Sequence, residues 1–228
     1  MIHQGVLYIV STPIGNMKDI TLRAIDSLKL VSKVVCEDTR RTGMLMSQLE
    51  IRKPLVSYND FNKESRTPSL LAALQRGESL ALVADAGTPA ISDPGFYLVK
   101  RAIAQNIPVV PVPGASAILA GLVASGLPTD RFLFIGFLPR KSGRRKKEIQ
   151  SFANERGTII IYETANRLPK VAADLLEVLG PDRRVVLARE LTKKFEQFIH
   201  TDLEHLSEII EKTTMKGEFV VLVSGKPK

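Results

Sequence analysis

Short apolar runs alternate along the chain with segments whose apolar positions recur at helical spacing. An apolar run bounded by turn formers reads as a buried strand, and a three-to-four spacing reads as an amphipathic helix. On that basis "VLYIVS" (6–11) and "SKVVCED" (32–38) are strands, with the helix "ITLRAIDSLKLV" (20–31) between them. "SLLAALQRG" (69–77) is helical and ends at a glycine, and "SLALVAD" (79–85) is the next strand. "FYLVKRAIA" (96–104) is a helix opened by Asp93 as N-cap and Pro94 at the first helical position. The strand "IPVVPV" (107–112) and the small-residue helix "ASAILAGLVAS" (115–125) follow. Such βα alternation predicts a mostly parallel sheet covered by helices.

Near "GLPTDRF" the pattern restarts. "RFLFIGFLP" (131–139), "GTIIIYE" (157–163), "RRVVLARE" (183–190) and "GEFVVLVSG" (217–225) read as strands. The helices among them are "SGRRKKEIQSFAN" (142–154), "RLPKVAADLLEVLG" (167–180) and "LEHLSEIIEKT" (203–213). The expected organisation is therefore two α/β domains, residues 1–128 and 129–228.

At 228 residues the chain is long enough for two modest cores. The uncharged stretch from Ala102 to Thr129 is broken by Pro108, Pro111, Pro113 and Gly114, so it reads as strand, loop and helix rather than a membrane span. "GVLYIVSTPIGN" lacks the basic leader and cleavage site of a secretion signal, and Cys36 is the single cysteine, so a reducing cytoplasm is expected. An excess of 32 basic over 24 acidic residues gives a net charge of +8, which favours an anionic partner, nucleic acid first.

The familiar nucleotide fingerprints G-x-G-x-x-G and G-x-x-x-x-G-K-[ST] are missing, as is a G-x-S-x-G elbow. His3, His200 and His205 do not fall at metal-ligand spacing with Cys36, so no metal site is expected. What stands out instead is a set of three loops at strand ends: "STPIGN" (11–16), "DAGTPAISDPG" (85–95) and "VPGASA" (112–117). Each joins Pro and Gly to small hydroxyl residues, which let a ligand approach the backbone and stiffen the loop beforehand. Taken singly, each is also an ordinary strand–helix connector.

These loops, with "EDTRRT" (37–42), "FIGFLPRK" (134–141), "YETANR" (162–167), "ARELTK" (188–193) and "GEFVVLVSG", resemble in order the motifs of the tetrapyrrole-methylase superfamily of S-adenosylmethionine-dependent methyltransferases. Within it the chain is similar to the members that methylate ribosomal RNA. The resemblance implies two α/β domains with the cofactor in the cleft between them, usually in a homodimer. It also implies methylation of a ribose 2'-hydroxyl, that of a cytidine in the decoding region of 16S rRNA. Carried over by motif, it places Gly87, Thr88 and Pro89 against the methionine part of the cofactor, with Ser92 nearby, Ser116 and Ala117 in a second loop and Pro13 in the first. Tyr162, Glu163 and Leu191 would face the adenosine. Members commonly have histidine at the position of Asn166, and many carry a further C-terminal segment.

A ribose hydroxyl is a poor nucleophile until its proton has somewhere to go. Asp38, Glu163 and Glu190 are the candidate bases, and positioning alone is the alternative. Arg40 and Arg41 have the guanidinium geometry that suits phosphate, although a solvated strand end would look the same. "RKSGRRKK" places Arg140, Lys141, Arg144, Arg145, Lys146 and Lys147 around a helix start, where cations oppose the macrodipole. That arrangement is expected to bind RNA phosphates; its bland counterpart is a solvated helix face. Two rival functions stay open: a small-molecule methyltransferase acting on a tetrapyrrole-like ring, and a non-catalytic RNA-binding protein.

Overall fold

A computed structural model describes residues 5–212 and 216–227. It divides into two compact units, Met1–Ser116 and Ala117–Lys228.

The first unit runs β1 (Leu7–Val10), α1 (Leu22–Leu30), β2 (Lys33–Cys36), α2 (Thr39–Gln48), β3 (Leu55–Ser57), α3 (Lys63–Gln75), β4 (Leu80–Val83), α4 (Gly95–Ile103) and β5 (Val109–Val112). Its sheet has the order β3-β2-β4-β1-β5 with every pairing parallel. Successive side chains of a strand point to opposite faces, so one strand feeds two cores. Ala81 and Val83 join Ala24 and Leu28 of α1 and Met46 of α2, whereas Leu80 and Leu82 join Leu70 and Leu74 of α3 and Leu98 of α4. The connections from β1 to β2 and β2 to β3 cross the sheet in one direction, and those from β3 to β4 and β4 to β5 in the other. Right-handed crossovers therefore put α1 and α2 on one face and α3 and α4 on the opposite one. The direction reverses between the adjacent strands β1 and β4. The loops after these two strands thus leave the carboxyl edge toward opposite faces, the kind of position at which open α/β sheets take their ligands.

The second unit runs α5 (Ala117–Ala124), β6 (Phe132–Phe137), α6 (Ser142–Ser151), β7 (Thr158–Thr164), α7 (Leu168–Leu179), β8 (Arg184–Arg189), β9 (Gln197–Asp202), α8 (Leu203–Lys212) and β10 (Glu218–Val223). The order is β6-β7-β10-β8-β9; only β6 and β7 are parallel, and the other three pairings are antiparallel. The expectation of a mostly parallel sheet thus holds for the first unit and not for the second. Ile159, Ile161, Leu187 and Val221 face Ile149 of α6, Leu168 and Leu175 of α7 and Leu206 of α8 in one core. On the other face α5 comes close to β10 because Gly121 has no side chain: a Cβ there would lie 3.3 Å from Val220 Cγ1. This packing groups α5 with the second compact unit, which begins at Ala117.

The strands and helices read from the apolar pattern are all present. The last residue expected in α8, Thr213, lies outside the described residues, as does His3. α2, β3 and β9 are additional, and α3 starts at Lys63 and runs through Pro68. Its start is prepared by Asn62, whose Oδ1 accepts the Asn59 N–H at 2.8 Å. No described helix is long and apolar enough to cross a membrane.

Candidate active site

The three loops rich in proline and glycine follow β1, β4 and β5, which are neighbours in the first sheet. Thr12 and Gly87 exchange two backbone hydrogen bonds, N–H to Gly87 O at 2.9 Å and Gly87 N–H to Thr12 O at 3.0 Å. This isolated bridge spans the reversal point between β1 and β4. Gly87 sits at φ +81, and a Cβ there would approach Ile14 Cγ2 to 3.3 Å. Ser11 and Thr88 pair their hydroxyls at 3.0 Å, and Thr88 Oγ1 donates to Ala115 O at 3.4 Å, which ties in the loop after β5. Gly114 allows that loop to reach Ser11, whose Cβ would be 3.0 Å from an added one. Pro13, Gly87, Thr88, Pro89 and Ser116 thus belong to one hydrogen-bonded set of loops. Ser92, in the same 85–95 loop, is exposed.

That loop is strained. Ala90 and Ser92 have φ of 68 and 59, left-handed values that cost a residue with a Cβ about 1–3 kcal/mol. Asp93 stabilises the turn by accepting the N–H groups of Ala90 (2.8 Å) and Gly95 (2.7 Å). The sequence suggested Asp93 as a simple N-cap; instead its carboxylate closes the loop while Pro94 precedes the first helical residue. Burial raises the Asp93 carboxyl above its ordinary value despite these two donors.

At the end of β2, Asp38 caps α2. Its carboxylate accepts the Arg40 N–H at 2.8 Å and Arg40 Nε and Nη2 at 3.1 and 2.8 Å. These contacts hold the Asp38 carboxyl well below the usual carboxylate range, which makes it a weak base. Arg41 pairs with Asp85 at 3.5 Å, and Asp85 also accepts the Asp38 N–H at 3.1 Å. Asp85 therefore joins the 36–42 stretch to the 85–95 loop, a role the sequence did not signal. Both arginines are exposed and both already have a carboxylate partner.

In the second unit the ends of β7 and β8 flank the start of β10. Tyr162 packs between Phe134 and Phe137, with ring centroids at 4.9 and 5.7 Å. Burial pushes its hydroxyl up to about 12, so it stays neutral at any working pH. Glu163 is buried; Oε1 accepts the Thr164 N–H at 2.8 Å, while Oε2 has no hydrogen bond and only the Arg167 guanidinium nearby at 3.3 Å. Glu190 has φ 47 and accepts the Glu218 N–H at 3.0 Å and Lys193 Nζ at 2.9 Å. Lys193 holds its carboxyl below the ordinary value. Leu191 is buried, and beyond it Thr192 carries a second buried oxygen, Oγ1, without a partner. Thr192 belongs to the "ARELTK" motif but was not singled out in the sequence.

The basic helix start divides in two. Arg145 is buried: Nε and Nη2 both meet Asp174 Oδ2 at 2.6 Å, and Nη1 donates to Pro139 O and Arg140 O. Lys146 pairs with Glu177 at 2.6 Å and lies 3.8 Å from Asp174. Arg145 is therefore not placed to meet RNA phosphate, which corrects the expectation for that residue, whereas half-exposed Lys146 would first have to leave Glu177. Arg140, Lys141, Arg144 and Lys147 are exposed, with no carboxylate partner among the described residues.

S-adenosylmethionine combines a zwitterionic amino acid, a sulfonium and an adenosine. It calls for backbone hydrogen bonds and isolated acceptors rather than a phosphate cradle. Taken separately, the first unit offers backbone groups in the glycine-lined loops around Thr12 and Gly87, and the second offers the unpartnered oxygens Glu163 Oε2 and Thr192 Oγ1. Among the described residues no group of three His, Cys, Asp or Glu side chains is arranged to hold a metal ion.

Comparison with known proteins agrees with this chemistry. The Tetrapyrrole (Corrin/Porphyrin) Methylases match residues 6–207. "Ribosomal RNA small subunit methyltransferase I" of Synechocystis sp. is 48% identical over 221 residues, covering 97% of this chain and 79% of that one. The protein of the same name from Haemophilus influenzae is 45% identical over 226 residues, 98% and 80% of the two chains. Uroporphyrin-III C-methyl transferase from Thermus thermophilus, solved with S-adenyl homocysteine, shares the fold with a TM-score of 0.67 at 22% identity, over 96% of this chain and 97% of that one. The chain belongs to the tetrapyrrole methylase family, and within it to the ribosomal RNA small subunit methyltransferase I group of S-adenosylmethionine-dependent methyltransferases.

Proposed function

We propose that the protein methylates the ribose 2'-hydroxyl of a cytidine in the decoding region of 16S rRNA, alone or within the small ribosomal subunit. Beside its family, the observation that carries this reading is the free basic stripe of Arg140, Lys141, Arg144 and Lys147 at the start of α6. These cations have no carboxylate partner among the described residues and oppose the helix dipole, so an external polyanion is their natural partner. Few aromatic residues accompany them (6% of the chain), which suits recognition of RNA shape and backbone.

The bound cofactor would supply an electrophilic methyl group on a sulfonium. In the first unit, Pro13, Gly87, Thr88, Pro89, Ser92 and Ser116 are its proposed contacts, with the Thr12–Gly87 bridge fixing the loops beforehand. In the second unit, Ala117, Tyr162, Glu163 and Leu191 are proposed contacts; Glu163 Oε2 is the acceptor still able to take a donor. Asp38 and Glu190 are ionised acceptors already engaged by Arg40 and Lys193, so neither is a strong base. Positioning of the hydroxyl in line, with proton loss to a weak acceptor or water, then carries most of the rate. Arg40 and Arg41 are secondary phosphate contacts that must first loosen from Asp38 and Asp85.

The family resemblance supports a homodimer, and a lone cysteine a reducing cytoplasm. The reaction is tested by incubating the protein with labelled S-adenosylmethionine and either 16S rRNA or small subunits, then digesting to nucleosides for mass spectrometry. A 2'-O-methylcytidine is the expected product. Label found on a tetrapyrrole substrate, with none on RNA, overturns the reading.

A further inference from the structure

Four backbone and side-chain groups meet around the entrance to α6, and one arginine that the proposed function leaves idle touches three of them. Arg167 precedes α7, with its backbone N–H on Thr164 O at 3.0 Å. Its Nη2 donates to Leu138 O at 2.6 Å, lies 3.5 Å from Pro139 O, and sits 3.3 Å from Glu163 Oε2. The carbonyls at 138–140 are gripped from the other side by Arg145, through Pro139 O at 3.3 Å and Arg140 O at 3.0 Å. Two guanidiniums therefore hold the segment that leads from β6 into the basic stripe.

The two grips differ in how their carboxylates are used. Asp174 is fully engaged, with Arg145 at 2.6 Å and Ser142 Oγ donating to both oxygens at 3.1 Å. Glu163 is not: its Oε2 has the charge of Arg167 close by but no hydrogen bond, although the side chain is completely buried. A buried carboxylate is tolerated when a charge accompanies it, and its open lone pairs remain able to take a donor. Arg167 thus supplies the charge while leaving the acceptor free.

We propose that Arg167 is a positioning residue serving two ligands: it holds Glu163 ready for a donor of the cofactor, and it fixes the 138–140 segment that presents Arg140 and Lys141 to RNA. This rests on the proposed RNA substrate and on Glu163 as a cofactor contact. A planar guanidinium can address a carboxylate and carbonyls together; a lysine ammonium on a flexible stem can hold the charge but not the segment.

The test uses the whole protein and four variants: Arg167→Met, Arg167→Lys, Glu163→Gln and the Glu163→Gln/Arg167→Met double. S-adenosylhomocysteine affinity is read by calorimetry, and affinity for a 16S rRNA fragment by anisotropy at several salt concentrations. Arg167→Met should weaken the first about tenfold, the scale of one hydrogen bond to a charged group. It should also lower the RNA salt slope by about one unit, the loss of roughly one phosphate contact. Glu163→Gln should weaken only S-adenosylhomocysteine, and the double should be no worse than the worse single, since both act on one acceptor. Arg167→Lys should restore most of the first affinity and not the salt slope. If Arg167→Met does not fold, Arg167→Lys carries the test through that split. Wild-type affinities and slope in folded Arg167 variants, or strictly additive losses in the double, overturn the proposal. A wild-type protein that binds neither probe overturns the functional reading first, and the role of Arg167 with it.

Discussion

Replacing Arg145 with methionine separates a buried structural cation from the RNA-facing ones beside it. The substitution removes both 2.6 Å contacts to Asp174 and the donors to Pro139 O and Arg140 O. It leaves Asp174, whose side chain is only 9% exposed, with Ser142 Oγ and a distant Lys146 at 3.8 Å. Breaking one partner of a buried pair costs about 3–5 kcal/mol. Because Ser142 and Lys146 stay, the low end applies, about 3 kcal/mol, a large share of a typical total of about 5–15 kcal/mol. At about 2–4 °C per kcal/mol for a chain of this size, the melting temperature should fall by about 6–12 °C. The pair removed together, Arg145→Met with Asp174→Leu, should recover most of that loss, since an apolar pair leaves no orphaned charge. Calorimetry and urea unfolding read the stability; RNA anisotropy, measured below the transition, reads binding. A loss under about 1 kcal/mol accompanied by a lower RNA salt slope would refute the reasoning, because that is the behaviour of a surface phosphate contact.

The alanine variant of Arg140, Lys141, Arg144 and Lys147 should show the opposite pattern: melting equal to or slightly above wild type, because these cations oppose the helix dipole, and a salt slope for RNA reduced by about three units. Gly87→Ala should lose about 1–2 kcal/mol from its left-handed backbone and weaken S-adenosylhomocysteine by calorimetry, because its new Cβ also presses on Ile14. Asp38→Asn preserves a good N-cap, so turnover between pH 6 and 9 should stay within about threefold of wild type; a rate collapse would reinstate Asp38 as the base. The same carboxyl gives a pH test of stability. Its folded pKa is depressed, so its stabilising contribution is complete above the ordinary carboxylate range and is lost as pH falls through the folded value. Asp38→Asn should therefore melt somewhat lower than wild type at neutral pH and converge with it in acid, which flattens the acid limb of the melting curve.

Sequence periodicity disclosed the strands and helices whose apolar positions are dense, and it failed where tertiary packing substitutes for pattern. α2 buries only Thr42 and Met46 and carries Gly43 inside it, so no apolar stripe announces a helix. β3 has three residues, all half-buried, and β9 is an edge strand with no fully buried position. The three cofactor-type loops were legible because glycine, proline and hydroxyl residues cluster only where backbone geometry is unusual. Arg145 was misread because the basic run was taken as a block. Helical spacing puts it four residues before Ile149, on the core face, and that signal was available. Glu163 could be read likewise: it follows Ile159 and Ile161 in strand alternation, hence inward. The contacts of Asp85 with Arg41 and with the Asp38 N–H were beyond reach, since they join loops brought together only by the order β3-β2-β4-β1-β5.

The reciprocal hydrogen bonds between Thr12 and Gly87 have a consequence in time as well as in shape. Amides in loops ordinarily exchange with solvent within the fast local openings of the native state, whereas these two can exchange only when the neighbouring ends of β1 and β4 separate. Their protons should therefore persist alongside those of the strand interior, far longer than the amide of exposed Ile91 a few residues on. Loops locked in this way are ordered before any ligand arrives. Association at this edge should accordingly follow a single concentration-dependent phase, without a slow isomerisation of the 11–16 and 85–88 backbone behind it.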